Sequence, residues 1–282
     1  MGALLEELRR LGYLEGKTIV INRWSGGGNI GAYGALAHKI VNEQPQLIVA
    51  RSRTMATALA AATREIPIVM VGTITSELSG SFARPNRNVT GINVSYDEQQ
   101  IYAKQAEFLR DITGKNARIA WLGTQNLWEG PVGKAAREGA RQAGLILDAV
   151  LLSSPVDEAA IHRAFVPVLA GRFVGMYVSP ATELFPYRSI IAKLAQEARL
   201  PTIGNGRPWA EAGILLSYGA NPVDMYRRAA YFVDRILRGA KPADLPIEQP
   251  GVIELVINLK TAKALGISIP PPLLVRADKL IE

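Results

Sequence analysis

The chain has no cysteine, which excludes disulfide staples, thiolate metal sites, thiol nucleophiles and cysteine-linked lipid anchors. It has only two histidines, His38 and His162, both within segments of helical periodicity and neither at a metal-ligand spacing. There is no G-x-S-x-G elbow, and no carboxylate pair stands at predicted strand ends where general acid–base chemistry could be staged. These gaps leave no basis for catalysis, a metal or a cofactor. No apolar run reaches the roughly 18 residues of a membrane span. The opening MGALLEELRRLGYLEGK reads as an amphipathic helix rather than a signal peptide. Concentrated charge is missing too. The 32 Lys+Arg outweigh the 25 Asp+Glu for a net +7, but they are scattered, the densest clusters being pairs such as Arg9-Arg10 and Arg227-Arg228. A nucleic-acid partner needs a basic face or run, so none is expected; the excess describes a mildly basic surface that favours anionic ligands.

What is present is ample core. With 282 residues and 48% hydrophobic content, the chain suits two α/β lobes of roughly 100–150 residues each. Periodicity predicts a helix over Leu4–Leu11, a strand over Lys17–Arg23, a helix over Gly31–Asn42 and a strand over Leu47–Ala50. A helix over Thr54–Thr63, capped by Ser52, and a strand over Ile66–Val71 follow. After a glycine-rich lapse from Gly72 to Asn88 come a strand at Val89–Val94 and a helix from Asp97. Alternation then starts afresh with strands at Arg118–Leu122, Leu147–Leu152 and Val174–Val178, separated by helices. Asn221, Pro222 and Gly239 punctuate a helix between them. A proline-studded linker, a strand at Glu254–Asn258, a short helix over Leu259–Leu265 and an extended IPPPLL tail complete the chain.

Gly26, Gly28 and Gly31 fit G-x-G-x-x-G between a predicted strand and a helix, with Arg51 and Arg53 beyond, so a dinucleotide site is one reading. The first glycine lies past Trp24-Ser25, which makes the turn loose, and nothing downstream supplies a hydride-transfer acid or base. A flexible loop is the alternative and the preferred one.

Polar residues at strand ends carry more weight, because in an open α/β sheet these ends border the ligand crevice. The stretch PTIGNGRPWAEAGILLSYG, Pro201 to Gly219, places Asn205, Arg207, Ser217 and Tyr218 at two such ends. Elsewhere the ends supply Ser52, Thr54, Thr73, Asn126 and Ser179. Hydroxyls, amides and helix N-termini hold a carboxylate without doing chemistry. Trp24, Trp128, Phe185 and Trp209 lie near these loops and could stack on a ligand. Each residue also has a plain alternative as a cap, a turn or packing; together they describe a binding cleft.

Five segments in order resemble the substrate-binding proteins of ABC transporters of the type often labelled uncharacterised, whose better-known members bind aromatic amino acids. They are LGYLEGK at Leu11–Lys17, Ala83-Arg84-Pro85 with Asn88–Gly91, Glu211-Ala212-Gly213 with Leu216–Gly219, ILRGAKPADLPIEQP at Ile236–Pro250, and VINLKTA at Val256–Ala262. The likeness covers essentially the whole chain. It implies a two-lobed, type I-like periplasmic-binding fold, each lobe a parallel sheet flanked by helices, with lobe 1 formed by 1–94 plus 220–244 and lobe 2 by 95–219 plus 245–282. It further implies hinge closure on an amino acid or organic acid, delivery to the permease subunits of an ABC importer, membrane contact only through that permease, a monomeric chain and a periplasmic location. The family's secretion signal and first strand of lobe 1 have no counterpart here, its Asp-Pro is Thr73-Ile74, and its Gly-Gly is Asn86-Arg87. A cytosolic ligand-sensing module of the same fold and an NADP-dependent enzyme stand as alternative functions.

Overall fold

The computed structural model describes residues 2–26, 30–94, 98–153 and 155–282. In chain order the elements begin with α1 (Gly2–Arg10), α2 (Tyr33–Asn42), β1 (Ile48–Ala50), α3 (Arg53–Ala62), β2 (Ile68–Gly72), α4 (Ser76–Ser79) and β3 (Val89–Asn93). Next are α5 (Glu98–Thr113), β4 (Arg118–Thr124), α6 (Gln125–Glu129), α7 (Pro131–Ala143), β5 (Ile146–Leu152), α8 (Glu158–Pro167), β6 (Gly175–Val178) and α9 (Arg188–Glu197). The last are β7 (Thr202–Gly204), α10 (Arg207–Glu211), β8 (Leu216–Ala220), α11 (Pro222–Leu237), β9 (Ile253–Asn258), α12 (Leu259–Leu265), α13 (Pro271–Val275) and β10 (Lys279–Ile281).

These elements form two compact units. Unit 1 holds the described residues up to 94 with Asn221–Val252, and unit 2 holds those from 98 to Ala220 with Ile253–Glu282. The chain therefore passes between the units three times, the first time on residues 95–97, outside the described residues.

Unit 1 is a parallel sheet in the order β1-β2-β3 with helices on both faces. Both faces of β2 and β3 are buried, which is why IVMVG and VTGIN lack a polar stripe. On one face Leu4 and Leu8 of α1 and Phe232, Val233 and Ile236 of α11 pack with Val69, Val71 and Ile92. On the other, Ala37, Ile40, Ala56 and Leu59 from α2 and α3 pack with Ile68, Met70 and Val89. Two sequence-legible caps hold: Ser52 accepts the Met55 N–H at 3.4 Å, and Asn221 Oδ1 accepts from Val223 and Asp224 at 2.9 and 3.2 Å.

Unit 2 is a seven-stranded sheet in the order β10-β9-β8-β7-β6-β4-β5. Trp121, Tyr177, Ile203 and Leu216 face α5 and α7, and Leu122, Met176 and Val178 pack with Phe165, Leu184 and Ile191 on the opposite side. The sheet is parallel apart from the β8–β9 pair, which is antiparallel with Gly219 opposite Glu254. Because β8 leaves at Ala220 and β9 enters at Ile253 beside it, β9 runs back along its neighbour.

Three expectations change. Lys17–Arg23 alternates in sequence but forms no strand: among the described residues it finds no sheet edge to pair with, only an isolated bridge between Glu15 and Ile19, and Val20 is 82% exposed. The glycine loop therefore does not follow a strand, and its Gly28 lies outside the described residues. The IPPPLL tail is helical from Pro271, a residue that suits a first helical turn, with Leu273 buried beneath it. Residues 245–252 belong with unit 1 rather than with the second lobe: Thr90 Oγ1 donates to the Leu245 carbonyl at 2.6 Å, Asn93 N–H to Glu248 at 2.8 Å, and Glu248 N–H to Gly91 at 3.0 Å.

Gly91 sits in the middle of β3 at φ +131°, where a Cβ would run into the Met70 backbone of β2. Gly91→Ala is expected to cost about 2 kcal/mol or more, from backbone strain and overpacking together. Urea unfolding followed by circular dichroism measures it, and an unchanged midpoint would contradict this account of the β2–β3 contact.

Candidate functional site

The parallel ladders of unit 2 bring the C-terminal ends of β4, β6, β7 and β8 to one edge. The register sets Leu122 beside Val178, Tyr177 beside Ile203, and Gly204 beside Ser217. Ser179 follows β6 directly and is fully buried, yet its hydroxyl has no hydrogen-bond partner among the described residues. It lies 2.6 Å from where a Cβ on Gly123 would stand, so the bare glycine makes its space. Ser217 in β8 is also fully buried with an unpartnered hydroxyl, and so is the Trp121 indole N–H of β4. Buried polar groups are nearly always satisfied, so each of these three orphans calls for an explanation.

Asn205 is half-buried after β7, its carboxamide packed where Gly219 has no side chain. Tyr218 does not join this edge. Neighbouring residues in a strand point to opposite faces, so beside the buried Ser217 the Tyr218 ring turns toward α5 and meets Phe108 edge-on at 5.2 Å. Burial pushes its phenol pKa up, and its carbonyl accepts from Gln105 at 2.6 Å. Asn126 is exposed on the short helix α6. Among the aromatic candidates, Trp209 is buried against Phe185, Trp128 packs on Trp121 beneath Arg137, and Trp24 lies under Lys39.

In unit 1, Thr73 is half-buried immediately after β2, its loop tied down by the Ile74 N–H donating to Asn93 Oδ1 at 2.9 Å. Thr54 is exposed in the first turn of α3, and Ser52 spends its hydroxyl on the cap. His38 and His162 are exposed on α2 and α8, and among the described residues no group of three potential metal ligands occurs. Two hollows of about 550 Å³ lie elsewhere, one along β5 and α8 in unit 2, the other beside α11 in unit 1. Their charges are largely spent in the pairs Arg118–Asp148 and Arg228–Glu248, so the strand ends remain the better candidate site.

Sequence reasoning missed the partner of Arg207. Its guanidinium makes a two-pronged pair with Glu254, Nε to Oε1 at 3.0 Å and Nη2 to Oε2 at 2.5 Å. The side chains are 24% and 4% exposed, and the hydrogen bonds to Glu254 raise the Arg207 pKa further. A separation of 47 positions in sequence gives no local signal. Arg207→Ala would take the guanidinium away from a buried carboxylate and is expected to destabilise unit 2 by about 3 kcal/mol. Adding Glu254→Gln is expected to recover most of that loss; chemical denaturation of the single and double variants measures both.

The family model described as "ABC transporter substrate binding protein" matches residues 1–281. A "Tyrosine-binding protein" of Clostridioides difficile (strain R20291) is 24% identical over 269 residues, 93% of this chain and 74% of that one. Among solved structures, an ABC domain in complex with L-Trp from Streptococcus pneumonia superposes with a TM-score of 0.84 at 22% identity, covering 99% of this chain and 93% of that one. A ligand-free, open substrate binding protein from Clostridium difficile gives 0.67 at 21% identity, with the same coverage. The likeness to these solved structures is one of fold, and the whole-chain match to the family model identifies the chain as a member of the ABC transporter substrate-binding protein family.

Proposed function

We propose that the protein binds an amino acid or a closely related organic acid and delivers it to the permease of an ABC importer. In this reading it works outside the cytoplasmic membrane as a monomer. The ligand is held by strand-end residues of both units, and movement at the three chain crossings closes the units upon it, a hinge motion familiar from periplasmic binding proteins. Aromatic amino acids are the first candidates, since relatives are described as binding tyrosine and as a complex with L-Trp. A relative described as both ligand-free and open supports the closure.

The observation that carries the binding role is the buried, unpartnered hydroxyls of Ser179 and Ser217 at the strand ends of unit 2, with the half-buried Asn205 following β7, the strand between theirs. An unsatisfied buried hydroxyl costs stability, and its retention makes sense where a ligand completes it. Arg207, engaged with Glu254, serves here to fix the turn that presents Asn205.

A thermal-shift panel of the twenty amino acids and simple carboxylic acids tests the reading, because a ligand at 100 times its dissociation constant stabilises by about 2.7 kcal/mol. Ser179→Ala is expected to leave unfolding unchanged or slightly improved while weakening the panel's best ligand by about tenfold, the worth of one hydrogen bond. A stability loss with unaltered affinity would assign Ser179 to the fold alone.

A further inference from the structure

The two units carry their cations differently at the strand ends. In unit 2 the guanidinium of Arg207 is neutralised by Glu254. In unit 1, Arg51 stands directly after β1, exposed, with its guanidinium 5.8 Å from the centre of the Tyr226 ring. The Tyr226 phenol on α11 feels that charge in turn: burial pushes its pKa up, and the nearby Arg51 guanidinium offsets part of the rise. Among the described residues no carboxylate pairs with Arg51, and a guanidinium has five donors, so most of its hydrogen-bonding capacity is open. Tyr226 is itself held in the packing of α11, which turns a flexible side chain into a positioned one.

The surroundings add to this charge rather than cancel it. Arg53, the first residue of α3, is exposed and also lacks a partner among the described residues, and the first turn of α3 holds no acidic residue. A cation in a first turn opposes the helix dipole, so the placement weakens α3 unless an anion offsets it. The hydroxyls of Thr54 and Thr73 stand at the same strand-end edge. Close approach of the strands is built in, since a Cβ on Gly72 would lie 3.0 Å from the Arg51 carbonyl oxygen.

We infer that Arg51, positioned by Tyr226 and reinforced by Arg53, takes the carboxylate of the bound ligand, a role for which Arg207 is already spent on Glu254. This rests on the small-ligand reading above. The carboxylate would replace solvent on a pre-oriented fork, and two-pronged arginine–carboxylate pairs are the strong ones.

Calorimetry with L-tyrosine, L-tryptophan and their carboxamides on wild type, Arg51→Gln, Arg51→Lys and Tyr226→Phe tests it. Wild type should prefer each acid over its amide by about tenfold or more, as a charge-assisted pair requires. In Arg51→Gln the acid should weaken until that gap closes, Arg51→Lys should keep part of it, and Tyr226→Phe should narrow it while leaving amide binding alone. Thermal unfolding of each variant guards against misfolding, and the Arg51→Lys and Tyr226→Phe arms decide the matter should Arg51→Gln fail to fold. An undiminished acid preference in folded variants overturns the anchor and leaves the binding function standing. Failure of all four compounds to bind wild type overturns the amino-acid reading and the inference with it.

Discussion

The Arg207–Glu254 pair sets the terms for the rest of unit 2. A carboxylate as buried as Glu254 needs a cation close by, and the one that answers comes from the turn after β7. The pair joins the first residue of α10 to the start of β9, opposite Gly219 of β8. It thereby holds the Asn205–Arg207 turn in place and cancels the charge nearest to that edge. What unit 2 then carries at its strand ends is neutral and polar: two unpartnered hydroxyls and an amide. A full positive charge is available at the strand ends of unit 1, where Arg51 rests on Tyr226.

The hydrogen-bonded ladders decide which polar residues share an edge. Parallel pairing of β4, β6, β7 and β8 aligns their ends, so residues far apart in sequence become neighbours, Gly123 beside Ser179 and Gly204 beside Ser217. The same geometry separates residues adjacent in sequence. Ser217 and Tyr218 look like one motif, but strand alternation sends them to opposite faces, and Tyr218 becomes packing against Phe108. A binding edge in this architecture is therefore sparse in any one segment and assembled from many.

Much of the fold is legible because its signals are local. Apolar runs bounded by polar turns mark the buried parallel strands, and Ser52, Asn221 and Pro222 mark helix starts through the bonds they make or forgo within a turn. Lys17–Arg23 shows the limit of such signals. Its alternation is real, but a strand exists only against a partner, and pattern alone does not supply one. The segment 245–252 was obscure for a related reason: its place beside β3 depends on hydrogen bonds to the Thr90 side chain and to the Gly91 and Asn93 backbone, more than 150 residues away.

The sequence by itself determined the class of molecule: an α/β chain in two units, without thiols, metal-ligand spacing or concentrated basic charge, carrying hydroxyls and amides at its strand ends. Periodicity, capping and composition act over a few residues, so they can be read along one chain. Only the tertiary structure decided which of those end groups already have partners. Whether Arg207 is an anchor or half of a buried pair, whether Ser179 and Ser217 are satisfied, and whether Arg51 faces a carboxylate or an aromatic ring all depend on what lies across the sheet. Electrostatic neutralisation and hydrogen-bond satisfaction are set by distances in space, and those emerge only when the strands pair.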